Sequence, residues 1–125
     1  MKLKFEDLSN RVIGCAIEVH RLLGPGLLES SYSQCLSHEF SSAGIQFVHQ
    51  KNISVVYKGT LLDCAYKADF IVENNLIIEL KSIEQFMRVH EAQLLTYMRH
   101  AKVSVGLLIN FNVTLLKLGL KRYVL

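Results

Sequence analysis

The sequence contains a single proline, few cysteines and no long apolar run. Half of its 125 residues are hydrophobic and 20% are charged, which is typical of a globular domain. Positive mean hydropathy and scattered charges argue against disorder. The longest uncharged apolar stretch, Val103 to Val113, falls far short of the ~20 residues that a bilayer requires. We therefore predict one domain over residues 1–125, with no membrane span or membrane partner.

Cysteine is also scarce, and its pattern excludes two kinds of site. Cys15, Cys35 and Cys64 are odd in number and form no CxxC motif, which argues against a disulfide framework or a zinc knuckle. We expect three reduced, mostly buried thiols in a cytoplasmic protein, with no signal peptide because Met1 to Glu6 is charged. Fourteen Lys and Arg against eleven Asp and Glu permit an anionic partner without demanding one.

Hydrophobic periodicity predicts an α/β fold. Apolar residues first recur at helical spacing and later alternate with polar ones, as in strands. Gly24-Pro25-Gly26 ends the first helix, Gly44 is well placed to cap the second, and Lys58-Gly59-Thr60 is typical of a hairpin turn. The elements expected are helices from about Phe5 to Leu23 and Leu28 to Ala43, strands from Ile45 to that turn, Leu61 to Val72 and Leu76 to Ser82, a helix from Val89 to His100, a strand from Val103 to Ile109, and a short peripheral element from Leu115 to Leu125. The order α-α-β-β-β-α-β predicts a mixed central sheet flanked by helices.

Acidic and basic side chains concentrate in the middle hairpin. Strand alternation places Glu79 and Lys81 on one face, and Asp69 lies on the neighbouring strand. A two-residue turn would pair Asp69 with Leu80 and send its carboxylate to the other face. A three-residue turn would instead pair Asp69 directly with Glu79.

We expect the three-residue turn, Glu73 to Asn75, with Asn75 in the left-handed conformation that asparagine tolerates. Two adjacent carboxylates repel each other but are suitable oxygen ligands for Mg²⁺ or Mn²⁺. At least one acid of such a cluster should have a raised pKa. The alternative is a solvated face with a cross-strand ion pair.

Two further features accompany this hairpin. Gln93 and Tyr97 are four residues apart and so share one helix face, with His90 one turn earlier. Glu29 begins a helix directly after the Gly-Pro-Gly loop, and Tyr32 follows it by one turn. Glu29 has a second interpretation as a first-turn acid that the helix dipole favours.

These residues resemble a known family. The segment GLLESSY, residues 26–32, matches the GxxExxY signature, and the chain is similar to GxxExxY proteins over nearly its full length. Asp69, then Glu79-Leu80-Lys81, then Gln93 and Tyr97 resemble the PD-(D/E)XK nuclease superfamily, although Ala68 stands where that motif has proline. The resemblance implies a single-domain restriction-endonuclease-like fold.

The resemblance also implies a metal-dependent phosphodiesterase. Glu29, Asp69, Glu79 and the carbonyl of Leu80 would hold Mg²⁺ or Mn²⁺, and Lys81 would position or polarise the attacking water. Gln93 and Tyr97 would support Lys81 or the nucleic acid backbone. Tyr32 is a further candidate substrate contact, and so is His90, because it shares the helix face of Gln93.

Two functional classes stay open at this point. The first is a metal-dependent nuclease, most simply one that acts on DNA. The second is a non-catalytic module that retains the fold and binds nucleic acid or a protein. The serines and cysteines lack the context of a covalent nucleophile. Because so small a chain offers little surface to a duplex, we also expect a homodimer or a partner protein.

Overall fold

The structure, a computed structural model, describes residues 5–125 apart from the side chains of Cys64 and Ala65. It confirms the predicted order of elements and adds an edge strand near the end of the chain. The elements are helices α1 (Glu6–Leu23) and α2 (Glu29–Ser42), strands β1 (Phe47–Tyr57), β2 (Thr60–Val72) and β3 (Leu76–Lys81), helix α3 (Arg88–Ala101), strand β4 (Val105–Asn110), a 3₁₀ helix (Leu116–Gly119) and strand β5 (Leu120–Val124).

The strands form one mixed sheet in the order β1-β2-β3-β4-β5. Neighbouring strands are antiparallel except β3 and β4, which are parallel. A parallel pair needs a crossover connection, and α3 provides it. The sheet is therefore mixed, as the sequence predicted, and its central strand β3 carries Glu79 and Lys81.

Each face of the sheet is covered by helices. On one face, α1 and α2 pack through a core cluster that includes Tyr32, Phe40, Phe70 and Leu80. On the other, α3 packs through a cluster that includes Ile77 and Leu94. Because Ile77 lies two residues before Glu79, strand alternation directs the Glu79 side chain towards α3 and Leu80 towards α1 and α2.

The predicted cap and turn are both present, with one correction. Gly44 has a φ of 71° and ends α2. The β2–β3 loop has three residues, since Val72 pairs with Leu76. The prediction that Asn75 is left-handed is wrong: Glu73 and Asn74 have φ of 52° and 58°. The reason is that the Asn75 N–H closes the turn on the Val72 carbonyl at 3.0 Å, which makes Glu73 and Asn74 its two central residues.

The cysteines whose side chains the structure describes are free thiols, as predicted from the sequence. Cys15 is buried and Cys35 is half-buried, and neither forms a disulfide, whereas the side chain of Cys64 lies outside the described residues. Within residues 5–125, no helix has the length and apolar character needed to cross a bilayer.

Candidate active site

Asp69 and Glu79 meet where strands β2 and β3 separate. The ladder between these strands ends at Phe70 and Ile78, so the next pair would be Asp69 and Glu79. Instead, the Asp69 N–H donates to Oε1 of Glu79 at 3.2 Å, and the Leu80 N–H donates to Oδ2 of Asp69 at 2.7 Å. Carboxylates thus replace backbone carbonyls as the acceptors. The three-residue turn brings the two acids together, as its register predicts.

Burial and the neighbouring acid together raise the pKa of Glu79 to about 8. Burial has the larger effect, because the side chain is only 8% exposed, and the negative charge of Asp69 is the second cause. The hydrogen bond from the Asp69 backbone and the charge of Lys81 act in the opposite direction. The prediction of an acid with a raised pKa is confirmed, although burial exceeds the repulsion on which it rested.

A cavity of about 240 Å³ lies on the α2 side of this pair. Its lining includes Glu29, Asp69 and Leu80, three of the residues that the sequence singled out. Glu29 is exposed at the first position of α2. Glu79 and Lys81 do not line this cavity, because alternation along β3 directs both towards α3. Asp69 therefore links Glu29 in the cavity with Glu79 behind it, whereas the sequence led us to expect all four side chains around one cleft.

The α3 side of the pair is aromatic. Tyr97 stacks on Tyr66 with ring centroids 3.8 Å apart, and the Tyr66 hydroxyl donates to the Tyr97 carbonyl at 3.2 Å. Burial raises the pKa of Tyr97, the charges of Glu79 and Asp69 raise it further, and a hydrogen bond with Gln93 lowers it. Burial, Tyr97 and Glu79 raise the pKa of Tyr66 to about 12. Tyr97 thus lies near the buried acid, and Gln93 hydrogen-bonds Tyr97. No pattern in the sequence singled out Tyr66.

Tyr32 and His90 have structural contacts that the sequence did not predict. The Tyr32 side chain is fully buried, its hydroxyl donates to the Gly24 carbonyl at 2.6 Å and accepts the Leu27 N–H at 3.1 Å, and its ring stacks on Phe111. This position is at odds with a substrate contact, because the hydroxyl is used to hold the Gly-Pro-Gly loop. His90 accepts the Met87 N–H on Nδ1 at 2.9 Å and so helps begin α3.

The donor set fits a hard divalent cation. The Asp69 and Glu79 side chains contact each other, and Glu29 lines the cavity that Asp69 also lines, so all three offer carboxylate oxygens. The cost of burying Glu79 against a second carboxylate is the kind that a bound cation offsets. Among the described residues, however, no three His, Cys, Asp or Glu side chains are close enough to hold an ion as they stand.

Comparison with known proteins agrees with this geometry. The family model of the PD-(D/E)XK nuclease superfamily matches residues 6–123. No curated protein and no solved structure matches the chain. The matched range includes strands β1 to β4, all but the last residue of β5, and all the acids described above. A chain that carries this motif on adjacent strands of such a sheet, and that the model matches almost from end to end, belongs to the PD-(D/E)XK nuclease superfamily.

Proposed function

We propose that this protein is a metal-dependent nuclease that hydrolyses phosphodiester bonds in DNA. The observation that carries the proposal is the contact between Asp69 and Glu79, in which a buried acid with a pKa near 8 lies against a second carboxylate. Such a pair is unfavourable as architecture alone. It is favourable in a protein that binds a cation there, and the superfamily is one of nucleases.

Most of the predicted site residues have a role in this proposal, whereas Tyr32, whose hydroxyl holds the Gly-Pro-Gly loop, has none. Glu29, Asp69, Glu79 and the Leu80 carbonyl would hold Mg²⁺ or Mn²⁺. The ion would supply Lewis-acid stabilisation of the charge that develops on the scissile phosphate. The Lys81 ammonium would hold the attacking water and stabilise negative charge near the phosphate. The side chains of Gln93 and Tyr97 hydrogen-bond each other, and they would hold Lys81 or the DNA backbone in place.

The surface around α3 supports a polyanionic substrate. Arg88, Arg99 and Lys102 are exposed on this helix or at its end, where each can contact phosphates. His90 lies one turn before Gln93 on the same helix, and we retain it as a further contact. A cytoplasmic location, and a homodimer or partner protein that widens this surface, remain predictions.

A cleavage assay tests the proposal. Purified protein is incubated with labelled single- and double-stranded DNA and RNA in Mg²⁺, Mn²⁺ or EDTA. We expect cleavage of DNA that requires the metal, and a loss of at least about 100-fold in Asp69→Asn, Glu79→Gln and Lys81→Met. Glu18→Gln is the matched control, because among the described residues Glu18 pairs only with Arg21, in an exposed ion pair on α1. Cleavage that survives all three site variants would point to a contaminating nuclease and contradict the proposal.

A non-catalytic binding module is the second candidate. It is favoured by the absence of a ready three-residue ligand cluster among the described side chains. The same experiment separates the two candidates. Wild-type protein that binds labelled DNA in a mobility-shift assay, yet cleaves no substrate with either metal, would establish the module.

A further inference from the structure

Gln50 lies opposite Asp69 in the β1–β2 hairpin, and this pair interrupts the ladder. The flanking pairs are His49 with Phe70 and Lys51 with Ala68. Gln50 has a φ of 57°, a left-handed conformation that is costly for a residue with a Cβ. Every other non-glycine residue with positive φ in the described part of the chain lies in a turn or at a helix end. Gln50 is therefore strained within a strand.

The hairpin reverses its faces at this pair. Phe70 packs in the core beneath α1 and α2, whereas Ala68, two residues earlier, packs beneath α3. In a regular strand the two would share a face. Phe47 and Ile53 show the same reversal in β1. A glycine at position 50 would allow the reversal without strain, so the glutamine side chain needs a separate explanation.

The surroundings of Gln50 suit a neutral, hydrogen-bonding ligand. Gln50 lines the same cavity as Glu29 and Asp69, and none of the described lining residues is Lys or Arg. Ser33 and His49, also in this wall, hydrogen-bond each other. In contrast, Gln50 is exposed and its amide has no hydrogen-bond partner among the residues that the structure describes, so the amide is accessible to a ligand in the cavity. Where no cation screens them, the two carboxylates repel a phosphate and accept hydrogen bonds from neutral donors, so the Gln50 side of the cavity favours the neutral parts of a nucleotide.

We propose that the Gln50 side chain is a substrate contact, which binds the nucleotide beside the phosphate that an ion at Asp69 would hold, through a base edge or a sugar hydroxyl. This inference rests on the proposed nuclease function. A side-chain amide both donates and accepts, so it can pair with the edge of an unstacked base or with a hydroxyl group. Gln50 lies opposite Asp69 in the hairpin and lines the same cavity, which places it beside the nucleotide nearest the chemistry.

The substitution Gln50→Gly separates the side chain from the backbone. Glycine adopts the left-handed conformation without strain, so we expect a free energy of unfolding equal to or above that of wild type. Binding is measured in the full-length chain carrying Lys81→Met, in Mg²⁺, with labelled single strands of about 12 nucleotides of each base, in DNA and RNA forms. We expect affinity to fall about 3- to 10-fold, as the loss of one hydrogen bond predicts. Gln46→Ala is the control, since this exposed amide lines a different cavity.

The pattern of losses identifies the group that is bound. A loss that differs among the four bases assigns the contact to a base edge, and a loss that changes the ratio of RNA to DNA affinity assigns it to the sugar. The inference is overturned if the Gln50→Gly variant is as stable as wild type and binds every strand as tightly as the protein that keeps Gln50. That result would leave the nuclease proposal intact. If the wild-type protein cleaves no strand and the Lys81→Met protein binds none, both the inference on Gln50 and the nuclease proposal are overturned.

Discussion

Asn110 hydrogen-bonds both backbone groups of Ile83. Its Oδ1 accepts the Ile83 N–H at 3.1 Å, and its Nδ2 donates to the Ile83 carbonyl at 2.8 Å. The same Oδ1 accepts the Asn112 N–H at 3.1 Å. Asn110 is only 2% exposed and lies beside Lys81 in the parallel ladder. It thereby fixes the chain that leaves β3 directly after the predicted catalytic lysine.

We expect Asn110→Ala to lower the free energy of unfolding by about 2 to 4 kcal/mol, because several backbone groups lose their partner. Urea denaturation followed by circular dichroism measures the change. Asn52→Ala is a control on exposed strand surface and should stay within about 0.5 kcal/mol of wild type. A similar small effect in Asn110→Ala would show that water replaces the amide without cost.

Asp69→Asn tests the charge balance of the site. The asparagine oxygen can still accept the Leu80 N–H, while the charge that opposes ionisation of Glu79 is removed. In EDTA at pH 8 we expect the variant to be as stable as wild type or more stable by about 1 kcal/mol. Mn²⁺ should stabilise wild type by about 2.7 kcal/mol at a hundredfold excess over its dissociation constant, and the variant little.

Thermal melts of both proteins, with and without Mn²⁺, measure these effects. If Asp69 served only in an ion pair with Lys81, the variant would be less stable by roughly 0 to 1 kcal/mol with or without the metal. That result would contradict the metal site.

Glu79 should make stability depend on pH. Its pKa is near 8 in the folded protein, against an ordinary value of 4.5, so between these pH values the folded state binds a proton that the unfolded state has released. Stability should therefore fall as pH rises from about 4.5 to about 8, with a slope of up to about 1.4 kcal/mol per pH unit. Urea denaturation in EDTA across this range measures it.

Glu79→Gln is the reference, because glutamine does not titrate. The difference in free energy of unfolding between wild type and this variant should carry the slope, while the contributions of other groups cancel. A difference that is flat with pH would mean that Glu79 is ionised in the folded protein at neutral pH.

Tyr32→Phe distinguishes a structural tyrosine from a substrate contact. The variant keeps the ring on Phe111 but leaves the Gly24 carbonyl and the Leu27 N–H without their partner. We expect a loss of about 1 to 3 kcal/mol in the free energy of unfolding. Affinity for DNA, measured at a temperature where the variant is fully folded, should be unchanged. Weakened binding at unchanged stability would restore the substrate role.

The sequence predicted those parts of the structure that local rules determine. Helical spacing, the cap at Gly44 and the three-residue turn follow from short segments. The left-handed residues of that turn did not, because the closing hydrogen bond from Asn75 decides which two positions are central. The position of Tyr66 could not be predicted from local rules either, since the face reversal at Gln50 determines which side of the hairpin carries the Tyr66 side chain.

The candidate site shows the same division. The adjacency of Asp69 and Glu79 could be predicted from strand alternation and loop length alone. The structural contacts of Tyr32 could not, because Gly24 and Phe111 approach it only after α2 packs on the sheet. The four metal-ligand candidates keep their predicted roles as proposals.

Because the ladder between β2 and β3 is short, the acids of the site also hold these two strands together. Beyond Phe70 and Ile78 the two strands are joined by hydrogen bonds to carboxylates rather than to backbone carbonyls. The strength of a hydrogen bond to a carboxylate changes with the charge of that group, whereas a backbone carbonyl does not titrate. Whatever draws Oδ2 of Asp69 towards the cavity competes with the Leu80 N–H and loosens the sheet at that point. The rate at which the Asp69 and Leu80 amide hydrogens exchange with solvent therefore reports whether the cavity is occupied.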